Sequence, residues 1–380
     1  MPKAKTLKKK ICYFIGSLQT GGAEKHVLKL IEKIDKGEFQ VHLCLMSKVN
    51  KSQSEKLKIT HPDLIVKSFY PKQSFGVFYL PELLRFARYL KVNRINILHI
   101  HLVGCFFFAS LAGKLVKTPQ ILITWHSIYT FRFIKTNIIK GITTNLNLLM
   151  CRFCCDKIIA VSKKVKDENC KNLNIRHDKV EVIYNGIDVG KKNNLKQIDN
   201  NTNFTIGAVG NLYKDKGYIY LLRSIPKLVE TIPNLKVVII GEGSDRSYLE
   251  KYIAEENLES YVDLVGRKNN VLELIQAFDV WIMVSLREGF SLAILEAMSS
   301  SLPIIATNVG GNSEAVLHGE SGLIINPKNV NDILISIKEL FYDKEKRLRL
   351  SKNAFVRFKD NFTTQQMMSK LYQCYKNERG

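Results

Sequence analysis

Short apolar runs alternate with helix-patterned stretches along almost the whole chain, and no other feature narrows the fold as far. In the first half, Ile11–Ile15, Phe39–Leu45, Leu64–Phe69, Ile97–His101, Gln120–Thr124, Lys157–Val161 and Val180–Ile183 read as strands. Between them the apolar residues take helical spacing, as at Val27, Leu28, Leu30, Ile31 and Ile34, or over Leu80–Leu90 with Pro81 in its first turn. Strands that are apolar throughout belong in a parallel sheet covered on both faces. A polar Lys/Asn-rich stretch over 190–203 interrupts the pattern and reads as a linker. The pattern then restarts. Phe204–Val209, Lys236–Ile240, Val262–Val265, Asp279–Val284 and Leu302–Thr307 read as strands. Tyr218–Glu230, Ser247–Asn257 and Val271–Ala277 read as helices, followed by Ile333–Tyr342, Glu345–Phe358 and a tail helix from Thr364. The expectation is two α/β domains, residues 1–189 and 204–362, joined by the linker at 190–203, with a tail over 363–380. A chain of 380 residues has room for both.

Composition removes several other classes. The longest uncharged apolar runs, Val103–Gly113 and Gly141–Cys151, are about eleven residues, where a membrane span needs about 20. The N-terminus carries five Lys in ten residues and then a strand-like run, without the apolar core and cleavage site of a signal peptide. The chain is therefore expected in the cytoplasm. Of its eight cysteines, Cys151, Cys154 and Cys155 have metal-like spacing at one end only, so no zinc is expected and the thiols are expected reduced. The net charge of +22 is uneven: residues 1–190 hold 32 Lys and Arg against 13 Asp and Glu, the rest 25 against 22. Nucleic acid, anionic lipid or an acidic substrate would each match a basic first half. No nucleic-acid recognition motif is present, which leaves an anionic membrane surface as the better partner. A generally Lys-rich composition accounts for the charge equally well.

The segment with most chemistry is Glu288-Gly-Phe-Ser-Leu-Ala-Ile-Leu-Glu296, at the junction of a buried strand and an apolar helix. Ligands of open α/β sheets bind at such strand ends. Phe290, Ser291 and Leu292 present the amides of a helix start, which favour an anion such as a phosphate. Ser291 is also a candidate helix N-cap. The carboxylates of Glu288 and Glu296 flank this seat and suit hydroxyl groups, so the segment fits a nucleotide sugar. Other polar groups also fall at strand ends. Gly21 and Gly22 open the first domain's first helix, Lys216 follows Gly210–Asn211, and His126 follows Trp125. Lys216 is a point charge suited to a diphosphate, and Asn211 can donate from its amide. His99 and His101 are read as alternating faces of one strand, with one of them in the sheet packing and no role assigned to either. Residues 131–155, aromatic and basic, read as a stretch able to touch a membrane or as an ordinary packed helix.

Taken in order, these motifs resemble the retaining glycosyltransferases of GT-B fold, family four in the usual sugar-enzyme classification. The resemblance runs through Gly21-Gly22-Ala23-Glu24, Ile183–Asp188, Val209–Gly217, the E-x7-E pair Glu288 and Glu296, and Val309-Gly310-Gly311. It implies two Rossmann-like domains facing across a cleft, with the tail crossing back to the first. It implies transfer of a sugar from a nucleoside-diphosphate sugar to a glycan or polyprenol-linked acceptor, retaining and without metal or other cofactor. The setting would be cell-surface polysaccharide or lipopolysaccharide synthesis, peripheral on the inner face of the membrane. It also implies catalytic roles for Glu288, His126 and Lys216. Donor contacts would come from Gly21, Gly22, Asn211, Lys216, Gly289, Phe290, Ser291, Leu292 and Glu296. The family's loop usually has Arg where this chain has Asn211, which removes a bidentate phosphate donor. A nucleotide-sugar epimerase of the same fold, or a non-catalytic binder of sugar nucleotides, are the alternatives.

Overall fold

The computed structural model describes residues 8–18, 21–48, 57, 59–69, 80–129, 138–189 and 203–376. The chain divides into two compact units, 1–184 with 367–380 and 185–366. The first sheet contains β1 (Lys9–Ile15), β2 (Phe39–Leu45), β3 (Ile65–Ser68), β4 (Ile97–His101), β5 (Gln120–Trp125), β6 (Lys157–Ala160) and β7 (Val180–Val182). All neighbours are parallel, in the order β3-β2-β1-β4-β5-β6-β7. Every residue of β4 and β5 is buried, and apart from His99, His101, Gln120 and Thr124 both strands are apolar. On one face, Ile11, Tyr13, Leu43, Val27 and Leu30 share a core with Leu371 and Tyr375 of the helix Thr364–Lys376. The Tyr375 and Tyr13 hydroxyls lie 3.2 Å apart, and Gln120 donates to the Cys374 carbonyl at 2.7 Å.

The second sheet contains β8 (Phe204–Val209), β9 (Leu235–Ile240), β10 (Val262–Gly266), β11 (Val280–Met283), β12 (Ile304–Thr307) and β13 (Leu323–Ile325). It too is parallel, in the order β10-β9-β8-β11-β12-β13. In each unit the strand order turns back on itself at the centre, between β1 and β4 and between β8 and β11. The crevice beyond the carboxyl ends of such a pair is where open α/β sheets take ligands.

The structure departs from the sequence expectation in two places. The single helix expected over Tyr218–Glu230 is two short helices, Tyr218–Leu222 and Ile225–Val229. Pro226 has no N–H for the carbonyl four residues back, and the Ser224 hydroxyl bonds the Leu221 carbonyl at 2.6 Å in the break. The first unit ends at Tyr184 and not at residue 189, because the chain beyond it is held by the second unit. There the Ile187 N–H donates to the Phe362 carbonyl and the Thr364 N–H to the Ile187 carbonyl. The aromatic-basic stretch, open between a membrane contact and a packed helix, contains a helix, Ile138–Phe153, that packs on its own unit through buried Leu148 and Cys151. Residues 130–137, like 190–202 of the expected linker, lie outside the described residues. Among the described residues no helix is long and apolar enough to cross a membrane, and no group of three His, Cys, Asp or Glu is placed to hold a metal. All eight cysteines are free thiols.

Candidate active site

In the second unit the loops leaving β8 and β11, neighbours at the sheet's turning point, meet. A single 3-10 turn, Lys214–Lys216, follows β8 and is closed by Gly217 at φ +68°. A Cβ there would stand 2.3 Å from the Val284 carbonyl oxygen, so glycine answers both for the backbone angle and for the close approach. The Leu286 N–H donates to the Asp215 carbonyl at 2.7 Å and ties the loops together. Lys216 Nζ consequently lies 2.6 Å from Glu288 Oε1, with 22% and 11% of the two side chains exposed. The Ser285 hydroxyl donates to the same oxygen at 2.8 Å. Tyr218 is buried behind them. Its phenol is pushed well up, first by burial and then by the charge of Glu288.

The backbone of Glu288–Gly289 is held from the other side by the turn after β12. Gly310 has φ +53°, and a Cβ on it would stand 2.1 Å from the Glu288 carbonyl oxygen. The Gly311 N–H donates to the Gly289 carbonyl at 2.7 Å. The helix Leu292–Ser299 then begins with Ser291 in the N-cap position, but the Ser291 side chain accepts no capping hydrogen bond. The expected cap is therefore absent, and the first-turn amides are not taken up by that hydroxyl. Phe290 faces inward: its carbonyl accepts from the buried Asn185 amide at 2.9 Å, and its ring centroid is 5.3 Å from that of Phe362. Glu296 is half-buried along the same helix. Asn211, half-buried just past β8, makes no side-chain hydrogen bond among the described residues. The structure thus assembles Lys216, Asn211, Glu288, the amides from Gly289 to Leu292, and Glu296 at one end of one sheet.

Gly21, Gly22 and His126 belong to the first unit. Gly21 is the N-cap of the helix Gly22–Lys33 and has no capping side chain of its own. The Glu24 carboxylate folds back and accepts hydrogen bonds from the backbone of Gly21 and Glu24, while burial pushes its carboxyl pKa up. The Gly21 amide thus holds the chain's own carboxylate, a self-cap. His126 follows β5 and is the only half-buried ring in a cluster with His26, His99 and His101, all three buried. The cluster corrects the reading of His99 and His101. Residues two apart on a strand share a face, and these two rings are 4.3 Å apart on the same side of β4. Both are anchored: His99 bonds the Tyr375 hydroxyl at 2.9 Å and Thr124 Oγ1 at 2.7 Å, and His101 Nδ1 lies 3.1 Å from His126 Nε2. Burial pushes the His26 pKa down to about 4 and that of His99 to about 3, and holds His101 and His126 well below the usual histidine range.

Sequence reasoning missed Ser285, Tyr218 and the histidine cluster. The His-x-His spacing on a buried strand was the signal for the last. Ser285 and Tyr218 carried none, because their role lies in contacts that no local pattern displays.

Two family models match, one over each half of the chain: Glycosyltransferase Family 4 over residues 20–191 and Glycosyl transferases group 1 over residues 191–357. An uncharacterised glycosyltransferase of Methanocaldococcus jannaschii is 30% identical over 349 residues, 88% of each chain. The chain belongs to the GT-B glycosyltransferases. A second relative of this glycosyltransferase is the UDP-Gal:alpha-D-GlcNAc-diphosphoundecaprenol alpha-1,3-galactosyltransferase of Escherichia coli. It is 26% identical over 309 residues, 78% of this chain and 79% of the other. The crystal structure of Anabaena HepE in complex with UDP and glucose shares the fold with a TM-score of 0.82 at 19% identity, over 97% of the glycosyltransferase and 100% of that chain.

Proposed function

We propose that this glycosyltransferase moves a hexose from a nucleoside-diphosphate sugar, UDP-linked as for its Escherichia coli relative, to a lipid-linked or growing glycan acceptor. The anomeric configuration is retained and no metal is needed. The observation that carries the reading is the Lys216–Glu288 pair beside an uncapped helix start. The ammonium spends one of its three N–H groups on Glu288, which leaves two for a diphosphate. The amides of Phe290, Ser291 and Leu292 add a second source of positive potential. Together they would take up the charge that develops on the departing diphosphate, the step in which a fixed electrostatic environment contributes most. Asn211 donates from its amide where the family usually has Arg, so more of that charge falls on Lys216. Glu288 also has a second carboxylate oxygen for a sugar hydroxyl, and Glu296 is placed for the ribose.

From the first unit, His126 would contact the transferred sugar. Gly21 and Gly22 would reach the diphosphate once Glu24 moves off the Gly21 backbone. The acceptor class follows the Escherichia coli relative, whose acceptor is carried on diphosphoundecaprenol. Exposed Ile142 and Phe153, with Arg152 between them on the helix Ile138–Phe153, fit a peripheral contact with an anionic membrane on its cytoplasmic face.

The test is transfer from a panel of nucleotide sugars to a diphosphoundecaprenol-linked acceptor, with the product's anomeric configuration read by NMR. Retention, and a loss of about 10²–10³ in kcat in Glu288→Ala and Lys216→Ala, are expected. An inverted product overturns the retaining reading. Turnover of the donor without any acceptor would mark an epimerase, and tight donor binding without turnover a binding module.

A further inference from the structure

We propose that His101 is a positioning residue that donates its Nδ1–H to His126 Nε2, so that His126 carries its own proton on Nδ1 and meets the substrate as a hydrogen-bond donor, not as a base. The proposal rests on the reading of His126 as a sugar contact. It starts from a count of protons. Burial keeps both rings neutral, so each carries one N–H. The two nitrogens that face each other, 3.1 Å apart, share one hydrogen between them. Either His101 donates from Nδ1, or it accepts there and keeps its proton on Nε2.

The surroundings of His101 separate the two cases. Its Nε2 is buried with no hydrogen-bond partner. If His101 accepted, that nitrogen would be a buried N–H with nothing to bond, and orphaned buried donors are the rarer defect in folded proteins. If His101 donates, Nε2 is only an unused lone pair. The donating tautomer is therefore favoured. His126 Nε2 is then an occupied acceptor, and its proton must sit on Nδ1, which meets no hydrogen-bond partner among the described residues. The one free nitrogen of the one half-exposed ring is thus an N–H.

The neighbours keep the arrangement from relaxing. His101 is stacked on His99, which both of its nitrogens hold in place through Tyr375 and Thr124. His26 packs edge-on against His126 with centroids 5.2 Å apart. Neither neighbour offers His126 Nε2 an alternative partner. A lone pair able to remove a proton from substrate is consequently missing, while a donor to a sugar oxygen is in place.

The experiment is ¹⁵N–¹H correlation of ring-labelled protein, which distinguishes Nδ1–H from Nε2–H imidazoles. The His126 ring signals, assigned by through-bond connection to the residue's own backbone, are expected in the Nδ1–H pattern in the unsubstituted protein. That spectrum alone decides the assignment even if every variant fails to fold; a proton on Nε2 overturns it. His101→Asn, with an amide N–H near the place of Nδ1, should keep the pattern and keep kcat within about threefold. His101→Asp, an acceptor, should move the proton to Nε2 and lower kcat about 10- to 100-fold with little change in KM. An unchanged His126 tautomer in folded His101→Asp also overturns the proposal. A tautomer that switches while transfer continues at the original rate supports the lock but refutes the sugar contact on which its functional half depends.

Discussion

Removing the ammonium from the Lys216–Glu288 pair separates what holds the second unit together from what the site does. At 2.6 Å the gross attraction is about 6 kcal/mol for an effective dielectric constant near 20. Desolvation of both groups offsets most of it. Breaking a fully buried pair costs about 3–5 kcal/mol, because the surviving charge is left unpaired. With 11% and 22% of these side chains exposed, water screens part of that, and the Ser285 hydroxyl still donates to Glu288. We therefore expect Lys216→Met to destabilise the unit by about 2 kcal/mol, and Glu288→Gln by about 1 kcal/mol, since the amide keeps an oxygen for Ser285. The double variant should lose less than the two single losses together, with a coupling energy of about 1–2 kcal/mol. Activity should behave differently: both single variants and the double variant should lose transfer by about 10² or more. The assay is urea unfolding of the four proteins, followed through the transition of the second unit, alongside initial rates. A coupling energy under about 0.3 kcal/mol would show that the pair does not form in the free protein. A double variant that transfers at the original rate would refute the assignment of either residue to the reaction.

Gly310→Ala puts a Cβ at φ +53° and 2.1 Å from the Glu288 carbonyl oxygen; the angle alone costs about 1–2 kcal/mol. A displaced Glu288 should lower kcat about 10²-fold while the unit stays folded, and normal kinetics in the folded variant would remove Gly310 as the support of that backbone. Acid should loosen the first unit. His26 and His99 titrate near 4 and 3 when folded, because of burial, but near 6.5 when unfolded. Both states are neutral above about pH 6.5, so their contribution is complete there. Below it the unfolded chain binds protons that the folded one refuses, and stability falls as the pH drops toward 4. At pH 5 this amounts to about 2 kcal/mol per ring. A thermal midpoint that does not move between pH 7.5 and 5 would contradict the assignment of these rings as neutral and buried.

The two-sheet plan was legible in the sequence because strands buried on both faces, such as Val280–Met283, are written as apolar runs. The chemistry of Glu288–Glu296 was legible for a similar reason: a strand end, a turn and a helix start are all local. The break at Pro226 was local too, but the apolar spacing on either side of it concealed the missing N–H. What tertiary structure alone decided are the meetings of distant residues. Lys216 reaches Glu288 across 72 positions because β8 and β11 are neighbours in the sheet, and strand order is not a property of either strand. His26, His99, His101 and His126 form one cluster because a helix and two strand ends converge there, and their neutrality follows from that burial. Tyr375 lies 362 residues from Tyr13 and shares its core, a contact no periodicity records. The sequence by itself set each element's type, through spacing and backbone chemistry. Only the folded arrangement set which charges and rings face each other, since Coulombic and hydrogen-bond energies depend on distance in space and not along the chain.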